Sequence, residues 1–146
     1  MSIATKVLVL NGPNLDRLDL RDSSIYGSMN FTELTSFIEK EAALINFEAD
    51  VRQSNSEVEI ITWLHEAADA KLPVIFNPAA FTHYSYAIRD AVAMLKAPII
   101  EVHLSNPMAR EEFRHTSVIS GVVQGTIAGF GAHSYRLALL AMKELI

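Results

Sequence analysis

Lys6-Val-Leu-Val-Leu10 is a continuous apolar run, stopped at once by Asn11-Gly-Pro-Asn14. An apolar run with no polar alternation marks a strand buried on both faces, so a chain built on it needs layers above and below. We read it as the first, central strand. Asn30 followed three residues later by Glu33 is a helix start, and Phe31, Leu34, Phe37, Ile38, Ala42 and Ile45 form an apolar stripe at helical spacing. Glu48 to Gln53 reads as a weaker strand. Ser56 and Glu59 fit a capping box for a second helix that buries Ile60, Ile61, Leu64, Ala67 and Ala68. Pro73 to Phe76 is a third strand ending on Asn77-Pro78, and a helix from about Tyr84 to Leu95 precedes a break at Pro98. Ile99 to Val102 is the fourth strand, Gly121 to Ala128 the glycine-punctuated fifth, and Ala132 to Leu145 an apolar closing helix.

Strands that alternate with helices of about a dozen residues predict a parallel sheet covered on both faces. The simplest arrangement is α/β and flavodoxin-like, a three-layer sandwich with five strands in the order 2-1-3-4-5. The 146 residues suffice for one domain, 1–146, with a core that needs no staples. A net charge of −5 argues against a general nucleic-acid binder, so any anionic ligand must be caught locally. The chain has no cysteine, hence no disulfide or thiolate chemistry, which suits a reducing cytoplasm. The start, MSIATKVLVLNGPN, does not read as a signal peptide, and no apolar run approaches membrane-spanning length.

Two stretches stand apart from this scaffold. Leu15 to Ser28 mixes leucines with charges and shows neither caps nor a clean period, so it reads as a long loop, of the kind that often serves as a lid. Pro98 to Ser117 runs from a β-branched strand into Glu101, His103, Ser105, Asn106, Arg110 and Arg114. In a parallel sheet the carboxyl ends of strands one, three and four lie side by side. Asn11 and Asn14, Asn77 with His83, and His103 with Ser105 are then expected around one crevice beneath the lid. Some members fit other roles equally well: Asn14 suits a turn, Asn77 satisfies the Asx-Pro turn it begins, and Asp90 pairs with Arg89 or caps a helix.

The residue types narrow the chemistry. There is no HExxH, no histidine pair at metal-ligand spacing and no G-x-S-x-G, which argues against a metal hydrolase or an elbow-type serine hydrolase. The first loop has one glycine and a proline that lacks an amide donor, a poor phosphate cradle for a flavin or nucleotide. What remains is acid–base chemistry on a small anion, with His83, His103 and Tyr26 as possible bases and the arginines as anion clamps. A silent module that binds a ring acid would keep Asn77, His83, Ser105 and Arg114 but would not need Tyr26 and Arg21.

Seven motifs then carry a family resemblance: VLVLNGPNL, R-x-x-x-x-YG at Arg21 to Gly27, RQSNSE at Arg52 to Glu57, FNPAAFTHYS at Phe76 to Ser85, AIRD at Ala87 to Asp90, EVHLSN-x-x-x-REEFR-x-x-S at Glu101 to Ser117, and GxIAGFG at Gly125 to Gly131. Together, in order and over nearly the whole chain, they resemble type II 3-dehydroquinate dehydratase. The resemblance implies dehydration of 3-dehydroquinate to 3-dehydroshikimate in the shikimate pathway, through an enolate, with no cofactor or metal. It also implies a homododecamer built from trimers. It assigns Tyr26 as the base, Arg21 as its lid companion, His103 as the acid, Glu101 as the group orienting His103, and Asn14 as the holder of a water against the enolate. Binding contacts are expected from Asn77, His83, Asp90, Leu104, Ser105 and Arg114. One cation at about 4 Å contributes around 4 kcal/mol to a phenolate at an effective dielectric of 20, so a closed lid makes Arg21 the natural activator.

The lid departs from the family's L-G-x-R-x-P-x-x-YG. This chain reads Leu18-Asp19-Leu20-Arg21-Asp22-Ser23-Ser24-Ile25-Tyr26-Gly27. Loss of the glycine and proline alters hinge and stiffness, and Asp19 and Asp22 are placed to pair with Arg21 and dilute its effect. The expectation is an intact reaction under a lid of altered shape or mobility.

Overall fold

The structure, a computed structural model, describes residues 3–146; residues 1 and 2, included in the sequence-based domain and in the leader reading, lie outside the described residues. Five strands, β1 (Thr5–Asn11), β2 (Phe47–Gln53), β3 (Val74–Asn77), β4 (Ile99–His103) and β5 (Gly125–Ala128), form one parallel sheet in the order β2-β1-β3-β4-β5. This is the expected flavodoxin-like order. The helices are α1 (Ser23–Tyr26), α2 (Phe31–Leu44), α3 (Glu57–Ala70), α4 (Tyr86–Ala93) and α5 (His133–Leu145).

The apolar run of β1 feeds two cores, because successive side chains leave a strand on opposite faces. Val7 and Val9 join Leu34 and Ile38 of α2 and Ala138, Leu139 and Met142 of α5. Leu8 and Leu10 join Ile60 and Leu64 of α3 and Ile88 and Val92 of α4. Asn30 caps α2 in the expected reciprocal box with Glu33, and the Ser56 and Ser85 hydroxyls accept from the Glu59 and Ile88 amides at the starts of α3 and α4. Among the described residues no helix is long and apolar enough to cross a membrane.

Three differences from the sequence reading bear on the site. Residues 15–28 are not an uncapped loop: Leu15–Leu20 winds as a kinked 3-10 segment, with Leu15 and Leu18 buried, and Asp22 caps the single turn of α1. The fifth strand begins at Gly125 rather than Gly121, because Ser120–Val122 forms a 3-10 turn held by Ser117 and by the Ser120 hydroxyl on Glu101. The fourth helix begins at Tyr86, since Ala79–His83 forms its own 3-10 turn and Ser85 is the cap.

β1 leads into the turn at Gly12 that carries the chain toward the lid. The Gly12 amide donates to the Asn77 carbonyl at 2.8 Å, and a Cβ on Gly12 would stand 2.4 Å from the Pro78 carbonyl oxygen. Only a residue without a side chain lets the two strand exits approach so closely. Gly12→Ala should therefore cost about 1–3 kcal/mol, seen as a lower denaturant midpoint at unchanged slope.

Candidate active site

The carboxyl ends of β1 and β3 are joined beneath the surface by a buried phenol. Asn11 and Asn77 are register partners, both buried, and both reach Tyr135 on α5. The Tyr135 hydroxyl donates to Asn11 Oδ1 at 2.5 Å and accepts from Asn77 Nδ2 at 2.8 Å. Asn11 Nδ2 goes on to the Arg52 carbonyl at 3.0 Å, and Asn77 Oδ1 accepts from the Ala79 amide at 3.1 Å. Burial pushes the Tyr135 phenol above its ordinary range, which keeps it a neutral donor. Asn11, expected at the crevice, is thus consumed below it. Tyr135 was missed because in the sequence it is one more aromatic residue on an apolar helix.

Above this network lies a cleft of about 120 Å³ lined by Pro13, Asn14, Leu15, Arg21, Tyr26, Asn77, Ala79, Ala80, His83, His103, Leu104, Ser105, Pro107, Arg110 and Arg114. Asn14 adopts a left-handed conformation at φ 71°, and its amide donates to Asn55 Oδ1 at 2.9 Å, so the first loop is pinned to the turn after β2. The Tyr26 hydroxyl accepts a hydrogen bond from Arg21 Nη2, and the Arg21 guanidinium lies 3.8 Å from the centre of the Tyr26 ring. Arg110 approaches the same ring at 4.9 Å and donates from Nη1 to Ser105 Oγ at 3.1 Å. Burial and the neighbouring charges of Arg110 and Arg114 hold the Arg21 guanidinium below its usual value, although Tyr26 opposes them. Arg114 is held by Glu111 through bonds of 3.0 and 3.3 Å, and this pairing pulls the Glu111 carboxyl down to about 2.

The acids of the lid do not meet Arg21. Asp19 accepts two bonds of 3.1 Å from Arg17, and Asp22 accepts from the amide and hydroxyl of Ser24 at 2.9 and 2.7 Å. Two local alternatives, a neighbouring guanidinium and a helix start, outcompete the pairing with Arg21 expected from the sequence.

On the other side of the sheet end, Glu101 is fully buried and does not line the cleft. Its Oε2 accepts from His103 Nε2 at 2.6 Å and from Thr82 Oγ1 at 2.7 Å, and its Oε1 from Ser120 Oγ at 2.5 Å. Burial opposes ionisation, but the hydrogen bond and charge of His103, with Ser120 and Thr82, outweigh it and hold the Glu101 carboxyl below its ordinary value. Because Nε2 of His103 faces a carboxylate, it carries the proton there, and Nδ1 is the nitrogen left for a ligand. By the same reasoning His83 Nδ1 donates to the Thr116 carbonyl at 2.8 Å, which leaves Nε2.

Of the residues expected at the site, Asn14, Arg21, Tyr26, Asn77, His83, His103, Leu104, Ser105 and Arg114 come together in one cleft, with Glu101 immediately behind His103. Asp90 does not reach it from the same chain: its side chain is 74 % exposed on α4, 4.0 Å from Arg89. Arg110 joins the set with contacts to both Tyr26 and Ser105; its position seven residues after His103 gave it charge but no partner in the sequence. Among the described residues no group of His, Asp or Glu is placed to hold a metal ion.

Two outcomes follow from these networks. Tyr135→Phe removes a donor and an acceptor from buried amides and should cost about 1–3 kcal/mol in unfolding experiments. Glu101 titrates lower in the folded than in the unfolded chain, so its contribution is present above the ordinary glutamate value of about 4.3 and disappears as pH falls through the lowered folded value. Glu101→Gln should accordingly flatten the acid-side decline of the unfolding midpoint.

The model of the family described as dehydroquinase class II matches residues 5–143. The chain is 56% identical over 133 residues to the 3-dehydroquinate dehydratase of Mycobacteroides abscessus, covering 91% of this chain and 92% of that one. It is 53% identical over 138 residues to the same-named protein of Halalkalibacterium halodurans, covering 94% and 95%. The crystal structure of type II dehydroquinase from Propionibacterium acnes superposes with a TM-score of 0.95 at 46% identity, covering 99% of each chain. With a family match over almost its entire length, and with the same fold, this chain belongs to the class II dehydroquinases.

Proposed function

We propose that the chain is a 3-dehydroquinate dehydratase of the shikimate pathway, working through an enolate with Tyr26 as base and His103 as acid. The observation that carries the mechanism is the contact of Tyr26 with both Arg21 and Arg110, in one cleft with His103, behind which Glu101 stands. Two guanidinium groups close to the phenol oxygen or its ring place positive charge where a phenolate would form. That phenolate removes the proton alpha to the ketone, and the electron pair becomes the enolate. Asn14 steadies a water against the enolate oxygen. The enolate then expels the hydroxyl, which takes the proton of His103 Nδ1 and leaves as water, while Glu101 holds the imidazole in register.

The remaining contacts divide the substrate between them. Ser105 Oγ accepts from Arg110, which frees its own hydroxyl proton for the substrate carboxylate, with the backbone at Leu104 beside it. Asn77, His83 and Arg114 serve the ring hydroxyls. Asp90, exposed on its own protomer, joins a binding site only across an interface between copies, as a homododecamer of trimers would supply. No lysine lines the cleft among the described residues, so a Schiff base has no seat.

The test is to follow the ultraviolet absorbance of the conjugated enone as purified protein meets 3-dehydroquinate, with and without borohydride pretreatment in the presence of substrate. Growth that survives borohydride is expected; binding without turnover would favour a silent module. Tyr26→Phe should lower turnover by at least about a thousandfold with folding intact, and near-normal turnover would remove Tyr26 from its role.

A further inference from the structure

The lid differs from the rest of the site in how little holds it. α1 is a single turn with no buried residue, far short of the length at which a helix sustains itself in water. Its last residue is Tyr26, which packs partly on the core below. Within the turn itself, most of the hydrogen bonds gather on one residue. The Asp22 carboxylate accepts from the Ser24 amide and hydroxyl, and the Asp22 carbonyl accepts from the Ile25 and Tyr26 amides, both at 3.0 Å. The next amide, that of Gly27, closes the turn on the Ser23 carbonyl at 2.9 Å.

We infer that Asp22 is a positioning residue for Tyr26: as the cap of α1, it sets the fraction of molecules in which the phenol meets Arg21. This rests on the reading of Tyr26 as the base. The cap acts twice. It holds the turn, and it occupies a carboxylate that stands next to Arg21 in the chain and would otherwise compete with the phenol for the guanidinium. The neighbouring acid Asp19 is removed from that competition by Arg17. The backbone also allows a second way to stiffen the turn. Ser23 occupies the first helical position, where a proline costs no intrahelical bond, and Asp22 at φ −65° and ψ 113° already has the extended conformation that a following proline requires.

Three variants separate the cap from its charge: Asp22→Ala, Asp22→Asn, and Asp22→Ala combined with Ser23→Pro. Asp22 is exposed and makes no core contact, so all three should fold. In Asp22→Ala, amide exchange at Tyr26 and Gly27 should rise about fivefold, the effect of losing an ordinary cap. The kcat should fall at least about twofold, with KM for 3-dehydroquinate unchanged because the binding contacts lie outside α1. Asp22→Asn, which still accepts from the Ser24 amide, should recover both, and Ser23→Pro should recover both in part. Unchanged exchange in Asp22→Ala would overturn the cap whatever the activity. A loss of kcat that asparagine does not recover would overturn positioning in favour of charge. Cap-dependent exchange in a wild-type protein without dehydratase turnover would instead overturn the role of Tyr26, so the two failures are read apart.

Discussion

The Tyr135 hydroxyl is the joint on which the cleft is built. It donates to one amide and accepts from another, at the ends of two adjacent parallel strands, and each amide also bonds to backbone. A buried chain of this kind tolerates no partial version, since an orphaned amide in the interior costs more than the bond it once made. With every group satisfied, β1 and β3 leave the sheet at a fixed separation, and Gly12 and Pro78 can touch. Asn14, the lid and the 3-10 turn that ends on His83 are all hung from these two exits.

The electrostatics of the cleft follow from local placement and not from overall charge. A chain of net charge −5 gathers Arg21, Arg110 and Arg114 on one small cavity. Each arginine has a partner suited to its place: a phenol for Arg21, a serine hydroxyl for Arg110 and a glutamate for Arg114. Across the sheet end the sign reverses. Glu101 is buried, yet three donors surround it, and their combined effect exceeds the cost of removing a carboxylate from water. Positive charge beside Tyr26 and negative charge behind His103 thus meet in one crevice.

The lid shows why a motif departure need not alter the contacts of Arg21. Asp19, in place of the family's glycine, and Asp22, one residue before the position of its proline, stand within reach of Arg21, and in sequence they read as competitors. The fold gives each a better offer. Arg17 lies two residues before Asp19 in a kinked segment that turns the pair together, and the unsatisfied amides at the start of α1 attract Asp22.

By itself the sequence determined the parallel order, the two-faced burial of β1, the capped start of α2 and the gathering of Asn14, Asn77, His83, His103 and Ser105 at one edge, because strand and helix periodicity and the crossover rule leave little choice. Its family motifs named Tyr26 and Arg21 as a pair. What only the tertiary structure decided were contacts between residues far apart in the chain: Tyr135 reaching Asn11 and Asn77, Ser120 reaching back to Glu101 and displacing the start of β5, and Arg110 lying over Tyr26. It also decided the side-chain choices of Asp19 and Asp22, and it left Asp90 on the outside of its own protomer. Periodicity reports which face a side chain leaves from. Which partner it finds there depends on how the layers stack, and that is settled only when the helices pack on the sheet.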